Sequence, residues 1–469
     1  MNATKPNIRK RPRHGASATG DTYSLRNLPV EQVRLNQDYL PLGALKLPAR
    51  QVRQHTEHQI GLIAENMKTF GQVKPIVIDS NDVIVSGVGV YQALVSLGWA
   101  KAQVVRAEHL SPELLCAYAI ADNKLAELSV FDKTAVADIF RELESIDFDL
   151  TLTGFEPFEI DNIFAEVAEE GAAEVEEVPE APVEPVSELG DLWLLGDHKL
   201  LCGNALERES YVQLMGEERA TMIVTDSPYD VKIRGNVSGL GRVKHDDFIM
   251  GSGELGREKF TDFLKTSFTH MVEFSVNGSI HFACMDWRHI YEMTVAGEAC
   301  YFELKNMLVW NKGSGSMGTF YRSQHELIFV WKNGTAPHIN NFGLGGKGRR
   351  TRTNVITMPG ASSFSRTRED DLAAHSTVKP TRLFADLILD VSRRGDIVLD
   401  PYCGSGTTLL AAQRTGRKAR CIELDPKYVD VAIERWQRAT GGTAIHLASG
   451  QSFAERTAAA ASCEAGGLS

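Results

Sequence analysis

Near the middle of the chain, a short run of apolar residues ends abruptly in polar residues. Residues 220–224 are apolar apart from one threonine, and a charged cluster precedes them. A short apolar run bounded in this way predicts a buried strand. The run is followed closely by Asp226, Ser227, Pro228 and Tyr229, which is typical of a strand that opens into a rigid loop. We therefore predict that this loop lies at the carboxyl edge of a sheet, where α/β proteins bind ligands.

The chain after residue 190 alternates between strand-like and helix-like segments. Apolar positions at helical spacing lie between many of the strand-like runs, as at Phe260, Phe263, Leu264 and Phe268. This alternation predicts an open α/β sheet with helices packed against it. The strands expected here are residues 190–193, 199–205, 220–224, 279–284, 307–310, 327–331, 397–400 and 419–423.

Residues 28 to about 160 have a mixed pattern that predicts a compact α+β domain. Apolar side chains at helical spacing run from Ile60 to Phe70, and Gly71 follows as a stop signal. Two short apolar segments, residues 75–79 and 83–87, are separated by Ser-Asn-Asp and predict a hairpin.

Composition indicates where the folded parts end. Residues 165–188 contain nine glutamates, three prolines and no lysine or arginine, and they carry −9 of the net charge of −11. Such a segment buries too little apolar surface to fold. We predict a disordered basic tail at 1–27, an acidic disordered linker at 161–188 and a disordered tail at 446–469. The two domains between them are 28–160 and 189–445.

The remaining composition is that of an ordinary soluble protein, with 43% apolar and 24% charged residues. No uninterrupted apolar run approaches the roughly 18 residues of a membrane span. The seven cysteines are scattered, with no C-x-x-C pair, which favours reduced thiols over disulfides or a zinc site. We expect a cytoplasmic protein, bacterial or phage and nucleoid-associated, without a metal site.

A second loop, near the C-terminus, has the composition of a nucleoside-binding turn. Residues 397–408 form an apolar run, an acid and a glycine-rich turn that opens a helix. Glu423 ends the next strand 23 residues after Asp400, a spacing that suits a carboxylate binding ribose hydroxyls. No lysine follows Gly406, as a P-loop requires, and Leu409 replaces the third glycine of a dinucleotide fold. S-adenosylmethionine remains as the candidate ligand, alongside a glycine turn with a purely structural role.

Three motifs, taken in this order, resemble those of DNA amino-methyltransferases. They are residues 226–229, residues 375–380 and residues 400–408, and the resemblance covers about residues 188–440. A catalytic loop that precedes the cofactor loop is the order of the permuted β group of N6-adenine and N4-cytosine enzymes. The resemblance implies an α/β fold, namely a Rossmann-like S-adenosylmethionine-dependent methyltransferase sheet with permuted motif order.

The resemblance also implies a role for individual residues. The catalytic residues would be Asp226, Ser227, Pro228 and Tyr229, with Ser227 in place of the usual proline. The cofactor would be bound by Asn204, Ala205, Lys379, Pro380, Asp400, Tyr402, Gly404, Ser405, Gly406, Thr407 and Glu423. Glu423 would hold the ribose, Lys379 and Pro380 would lie near the methionine end, and Asn204 and Ala205 beside the adenine.

The implied reaction is transfer of a methyl group from S-adenosylmethionine to the exocyclic N6 of adenine in double-stranded DNA. The Asp226 carboxylate and the Ser227 carbonyl would accept hydrogen bonds from the target amine, and Tyr229 would stack on a base that has flipped out of the duplex. An aspartate at this position favours adenine, and N4-cytosine is the alternative. Cytosine C5 methylation is disfavoured because the chain has no Pro-Cys dipeptide.

A basic segment coincides with the region, about 332–370, where the family places target recognition. Residues 327–368 contain seven lysines and arginines and no acidic residue, which favours contact with phosphates or bases. The predicted DNA-binding residues are Lys347, Arg349, Arg350 and Arg352.

Residues 28–150 resemble the ParB N-terminal (ParB/sulfiredoxin-like) domain, a small α+β domain. The resemblance rests on residues 47–50, 70–76 and 121–124. That family usually has a polar Gly-His-Gly-Arg loop, whereas residues 87–90 here are Gly-Val-Gly-Val, so nuclease or nucleotide-hydrolysing activity is not expected. DNA binding, docking or dimerisation is the implied role, alongside a structural accessory role.

Two other hypotheses stay open at this point. The chain is a ParB-like DNA-binding module whose methyltransferase half has weakened catalysis, as Ser227 suggests, or it methylates RNA or a protein amide. A homodimer and a restriction endonuclease encoded elsewhere are the further partners that the resemblance allows.

Overall fold

The structure is a computed structural model that describes residues 36–170, 178–229, 255–313, 320–342, 352–359 and 379–466. The chain divides into two compact units, Met1–Val130 and Phe131–Ser469. The basic tail predicted at 1–27 lies outside the described residues. Within the described ranges, no helix combines the length and the apolar character that crossing a membrane requires.

The N-terminal unit contains β1 (Gln37–Pro41), α1 (Glu57–Phe70), β2 (Ile76–Ile78), β3 (Ile84–Ser86), α2 (Val88–Ser96), β4 (Lys101–Arg106) and α3 (Pro112–Ala126). Its sheet has the order β1-β4-β2-β3, and β2 pairs with β3 as the expected antiparallel hairpin. Thr56 and Ser111 cap α1 and α3, because each side chain accepts a hydrogen bond from a first-turn N–H group. Apolar side chains of α1 and α2 pack against the sheet in a buried core.

The strands of the larger unit are β5 (Leu192–Leu195), β6 (His198–Cys202), β7 (Ala220–Thr225), β8 (Ser275–Met285), β9 (Glu303–Asn311), β10 (His325–Lys332), β11 (Val355–Thr357), β12 (Ile397–Asp400), β13 (Lys418–Glu423) and β14 (Ala444–His446). Its helices are α4 (Lys133–Glu144), α5 (Pro157–Glu170), α6 (Arg208–Met215), α7 (Gly256–Glu273), α8 (Ile290–Cys300), α9 (Thr381–Val391), α10 (Thr407–Thr415), α11 (Pro426–Thr440) and α12 (Phe453–Gly466). All eight expected strands are present, with ends that shift by a few residues. The short strands β11 and β14 are not among those that the sequence predicts.

These ten strands form one mixed sheet in the order β11-β9-β10-β8-β7-β12-β13-β6-β5-β14. The five central strands, from β8 to β6, each run parallel to their neighbours within that group. Helices cover both faces of the centre. On β7, Ile223 faces a cluster that includes α7, whereas Met222 and Val224 face a cluster that includes α9. This alternation is why the central strands are apolar on both faces.

Helices α4 and α5 belong to the larger unit, so the boundary expected at residue 160 lies near residue 130 instead. Ile160, Ile163 and Phe164 are buried, and Asp161 accepts a hydrogen bond from the buried Arg417 at 2.8 Å. The prediction of a disordered linker at 161–188 is therefore wrong for residues 161–170 of α5. The apolar face of α5 is hard to recognise in the sequence because glutamates occupy many of the other positions of this helix.

The end of the chain also differs from the expectation. Residues 444–446 form β14, and the helix α12 follows. The Phe453 ring packs against the Trp193 ring with 5.5 Å between centroids. The prediction of a disordered tail at 446–469 is therefore wrong for the residues up to 466.

Candidate active site

The parallel centre of the sheet brings together two loops that are far apart in sequence. Strands β7 and β12 are adjacent and parallel, so their carboxyl ends lie side by side. The Thr225 hydroxyl at the end of β7 donates a hydrogen bond to the Asp400 carboxylate at 2.7 Å. The loop that begins at Asp226 and the glycine bend near Gly404 therefore open at one edge of the sheet, as the sequence predicts.

Asp400 is the buried anchor of this edge. Besides Thr225, its carboxylate accepts hydrogen bonds from the Tyr402 backbone N–H at 3.0 Å and from the Thr408 hydroxyl. Burial raises the pKa of Asp400 to about 6, although the hydrogen bonds from Thr408 and Thr225 act in the opposite direction. Because protein groups engage both carboxylate oxygens, Asp400 contributes to the site by holding the bend in place.

Two glycines shape the bend for different reasons. Both have positive φ, +52° at Gly404 and +88° at Gly406, a conformation that L side chains rarely adopt. A Cβ at Gly406 would stand 3.1 Å from the Cβ of Ala432, so this glycine allows α10 to pack against α11. A Cβ at Gly404 would meet open space. The Gly404 side of the bend is therefore accessible to a ligand.

Glu423 lies beneath the same bend, at the end of β13. One of its carboxylate oxygens accepts the Gly404 N–H at 2.7 Å, and the other accepts the Asp425 N–H at 2.9 Å. Burial raises the pKa of Glu423 to about 7, while these two backbone hydrogen bonds act to lower it. Each oxygen has a further lone pair, so the carboxylate can still accept hydrogen bonds from ligand hydroxyls.

The other predicted cofactor residues around the bend have structural contacts of their own. The carbonyl and hydroxyl oxygens of Ser405 accept hydrogen bonds from the buried Arg435, at 2.8 and 3.0 Å. Thr407 begins α10 with its side chain buried, and Pro380 is buried ahead of α9. These residues hold the walls of the site in place.

Asn204 and Ala205 form the turn after β6, which pairs with β13 and ends at the same edge. The Asn204 side-chain oxygen accepts the Leu206 N–H at 3.0 Å, so it caps its own turn. The Ala205 carbonyl accepts the Tyr211 hydroxyl at 3.1 Å. The turn is thus rigid, and a second lone pair of the Asn204 oxygen remains for a ligand amino group.

Lys379, predicted near the methionine end of the cofactor, contacts the catalytic loop. Its ammonium Nζ is 2.6 Å from Asp226 Oδ2 and 3.0 Å from the Tyr229 hydroxyl. The Tyr229 hydroxyl donates to Asp226 Oδ1. Burial alone would lower the pKa of Lys379, but the carboxylates of Asp226 and Glu326 outweigh it and hold the pKa well above its usual value. Lys379 is therefore a buried, charged partner of Asp226.

Glu326 and Lys312 complete this cluster. The family resemblance places their segments, residues 321–326 and 310–312, on the DNA side but gives neither residue a role. Glu326 Oε2 is 3.0 Å from the Lys379 Nζ, and Glu326 Oε1 pairs with the Lys312 ammonium. Burial would raise the pKa of Glu326, but Lys379 and Lys312 lower it below its usual value. In the sequence, Glu326 is notable only because it immediately precedes the acid-free segment 327–368. Only the folded structure brings it to 3.0 Å from Lys379.

The two remaining residues of the catalytic motif, Ser227 and Pro228, differ in burial. The Ser227 side chain is 2% exposed, and its hydroxyl has no hydrogen-bond partner among the described residues. Pro228 is half-buried. The backbone carbonyl of Ser227 follows Asp226 directly, as the predicted pair of acceptors requires.

The predicted DNA contacts have mixed outcomes. Lys347, Arg349 and Arg350 lie outside the described residues. Arg352 is described, and its guanidinium binds the carboxylates of Asp386 and Asp390 on α9 at 3.1 and 3.0 Å. These pairs tie the segment before β11 to α9, and the DNA contact of Arg352 stays a prediction.

The residues at the glycine bend suit a nucleoside with hydroxyl and amino donors. Glu423 offers carboxylate lone pairs, Asn204 offers an amide oxygen, and the open side of Gly404 leaves room for close approach. The neighbouring guanidinium of Arg435 is committed to Ser405. S-adenosylmethionine, whose adenosine part carries no phosphate, fits this set of groups.

Comparisons with known proteins agree with this geometry. The DNA methylase family, which comprises N6 and N4 methyltransferases, matches residues 220–434. The ParB-methyltransferase helix-turn-helix domain matches residues 135–189. That match confirms the ParB relationship, in a segment that starts later than the predicted 28–150.

Among curated relatives, the type II methyltransferase M.HinfI of Haemophilus influenzae is 27% identical over 257 residues, which are 50% of this chain and 67% of that protein. The type II methyltransferase M.Cfr9I of Citrobacter freundii is 32% identical over 161 residues, which are 32% of this chain and 49% of that protein. The crystal structure of the M1.HpyAVI–SAM complex is 20% identical, with a TM-score of 0.38, and covers 50% of this chain and 97% of its own.

The chain thus spans between half and two thirds of these two curated relatives. Residues 220–434 match the DNA methylase family of N6 and N4 methyltransferases, and a segment that matches the ParB-methyltransferase helix-turn-helix domain precedes them.

Proposed function

We propose that this protein transfers a methyl group from S-adenosylmethionine to the exocyclic N6 of adenine in double-stranded DNA. The observation that carries the proposal is the shared edge of β7 and β12, where the Asp226 carboxylate lies next to the glycine bend. The carboxylate that would accept hydrogen bonds from the target amine and the residues that would bind the nucleoside cofactor thus lie at the same edge of the sheet.

The protein residues act mainly by positioning and by charge stabilisation. An exocyclic amine is a poor nucleophile because its lone pair is conjugated with the ring. Hydrogen bonds from this amine to the Asp226 carboxylate and the Ser227 carbonyl would draw its hydrogens out of the ring plane and free the lone pair. S-adenosylmethionine, when bound, supplies a methyl group that is already activated as a sulfonium. Orientation of the two partners is then the principal contribution of the protein.

The target amine lies inside the duplex, so the adenine has to flip out at a cost of a few kcal/mol. Tyr229 stacking would return roughly 1–3 kcal/mol. Its hydroxyl is already fixed by Asp226 and Lys379, so the ring would receive the base without first being ordered. A pre-ordered ring binds at a lower entropic cost.

Incubation of the purified chain with labelled S-adenosylmethionine and duplex DNA, followed by separation of nucleosides, tests the proposal. We expect labelled N6-methyladenine, and no label from the Asp226→Ala variant. Asp262→Ala, which removes an exposed acid on α7, is the matched control and should methylate normally.

The other outcomes each contradict a part of the proposal. N4-methylcytosine alone would overturn the choice of adenine, and a preference for RNA or protein would overturn DNA as the substrate. DNA binding without any transfer would favour the ParB-like binding module. The homodimer and the separately encoded restriction endonuclease stay predictions.

A further inference from the structure

Four charged side chains form a partly buried cluster beside the catalytic loop, and only two of them have a role so far. Lys379, with 5% of its side chain exposed, lies between Asp226 and Glu326, at 2.6 and 3.0 Å. Lys312 pairs with the far oxygen of Glu326. The cluster contains two carboxylates and two ammonium groups, so its formal charge is zero.

We propose that Glu326 is a positioning residue that shares the Lys379 ammonium with Asp226 and so keeps Asp226 available to the target amine. This inference rests on the proposed function, and it concerns a residue that touches neither the cofactor nor the base.

The reason lies in competition for one cation. A carboxylate that binds an ammonium at 2.6 Å gives up electron density and becomes a weaker acceptor for any other donor. Glu326 is the alternative partner within hydrogen-bond distance of the same Nζ. When a target amine donates to Asp226, Lys379 can keep a full ion pair with Glu326, and no buried charge is left without a partner.

Charge gives a second, independent reason. Methyl transfer places positive charge on the amine nitrogen next to Asp226. With Glu326 the cluster is neutral, whereas without it two ammonium groups face a single carboxylate and the cluster carries +1. A positive site opposes the charge that develops in the transition state, and a poorly screened interior makes this effect large.

A purely structural role predicts something different. Glu326 and Lys312 lie on the paired strands β10 and β9 or directly after them, so Glu326 could merely fasten these strands. Loss of that fastening would lower stability and would not depend on Lys379. The two roles therefore differ in whether the effect of Glu326 passes through Lys379.

The test is a double-mutant cycle on the full-length chain. Single-turnover methylation is measured for wild type, Glu326→Gln, Lys379→Gln and the double variant, together with DNA affinity and thermal melting. We expect Glu326→Gln to lower the single-turnover rate by about 10- to 100-fold, in the range found when a catalytic group is misplaced. DNA affinity should change by less than about threefold, and Glu326→Asp, which keeps the charge, should restore part of the rate. In the Lys379→Gln background, Glu326→Gln should change the rate by less than about threefold.

Glu303→Gln is the matched control, because Glu303 forms an exposed pair with Lys305 on the same sheet, and it should retain the wild-type rate. Additive effects in the cycle, or a wild-type rate for Glu326→Gln, would overturn the inference. If Glu326→Gln does not fold, Glu326→Asp takes its place in the cycle, and a loss of rate that is equal in the wild-type and Lys379→Gln backgrounds refutes the inference. Failure of the wild-type chain to methylate DNA would instead refute the proposed function.

Discussion

Individual carboxylates at the edge of the sheet have different environments and therefore different tasks. Asp400 is buried and accepts three hydrogen bonds, Glu423 is half-buried beneath the glycine bend and accepts two, and Asp226 is paired with an ammonium. A carboxylate without a cation partner resists ionisation when it is buried, whereas one beside a lysine does not.

The raised pKa of Glu423, about 7, predicts a pH-dependent cofactor affinity. Ligand hydroxyls bind the ionised carboxylate more strongly, so binding below pH 7 requires loss of a proton. We expect the affinity for S-adenosylmethionine to rise by up to about tenfold per pH unit below 7 and to level off above it. Titration calorimetry between pH 6 and pH 8.5 measures this. The Glu423→Gln variant should bind more weakly and lack this component, and an identical pH profile in the variant would contradict the assignment.

Thr225 provides a residue-scale test of the anchor at Asp400. Thr225→Val keeps the shape of the side chain but removes the hydroxyl that donates to the buried carboxylate at 2.7 Å. We expect a loss of about 1–3 kcal/mol in the free energy of unfolding, measured by urea denaturation. Thr266→Val, at an exposed position on α7, should cost less than about 0.5 kcal/mol. Equal losses in the two variants would show that the buried hydrogen bond is unimportant.

At the scale of elements, the helix pair α4 and α5 is held to the larger unit by charge as well as by apolar contacts. Arg417, with its side chain fully buried, binds Asp161 at 2.8 Å, and Arg394 binds Glu144 at 3.0 Å. Residues 131–170 contain 12 acidic and two basic residues, a balance that repels DNA phosphates. The helix-turn-helix segment therefore has the chemistry of an intramolecular support, and its acidity disfavours a role as a DNA reader.

Breaking the buried pair should loosen this support. Asp161→Asn leaves the Arg417 guanidinium buried without its carboxylate, which typically costs about 3–5 kcal/mol. Urea denaturation of the full chain measures the loss. The matched control is Lys133→Ala, because Lys133 pairs with Glu166 across the same two helices at an exposed position and should cost less than about 1 kcal/mol. Similar losses in both variants would mean that the buried pair is no more important than the exposed one.

For the whole molecule, the division at residue 130 predicts where the chain can be shortened. A fragment of residues 131–469 keeps α4 and α5 and should fold and bind S-adenosylmethionine like the full chain. A fragment of residues 178–469 lacks Asp161, the carboxylate partner of Arg417, and the apolar face around Phe164. We expect this shorter fragment to melt at a lower temperature or to aggregate. Equal melting temperatures for the two fragments, measured by calorimetry, would contradict this prediction.

The sequence by itself determined the parallel centre of the sheet, the catalytic loop and the glycine bend. Strand-length apolar runs that end in acids and glycines are local signals, and parallel strands place their ends at one edge. The family resemblance of the large domain followed from three such local motifs. The two loops, near residues 226 and 404, are predicted separately, and the Thr225–Asp400 hydrogen bond shows that they lie at one edge of the sheet.

Only the tertiary structure decided how the charges pair. Lys379 binds Asp226 across 153 residues, Glu326 joins them from β10, and Arg417 binds Asp161 across 256 residues. No local pattern identifies such pairs, because each side chain meets its partner only when the strands take their places in the sheet. For the same reason, a glutamate-rich stretch that resembles a linker in sequence becomes a packed helix once its apolar face has a surface to cover.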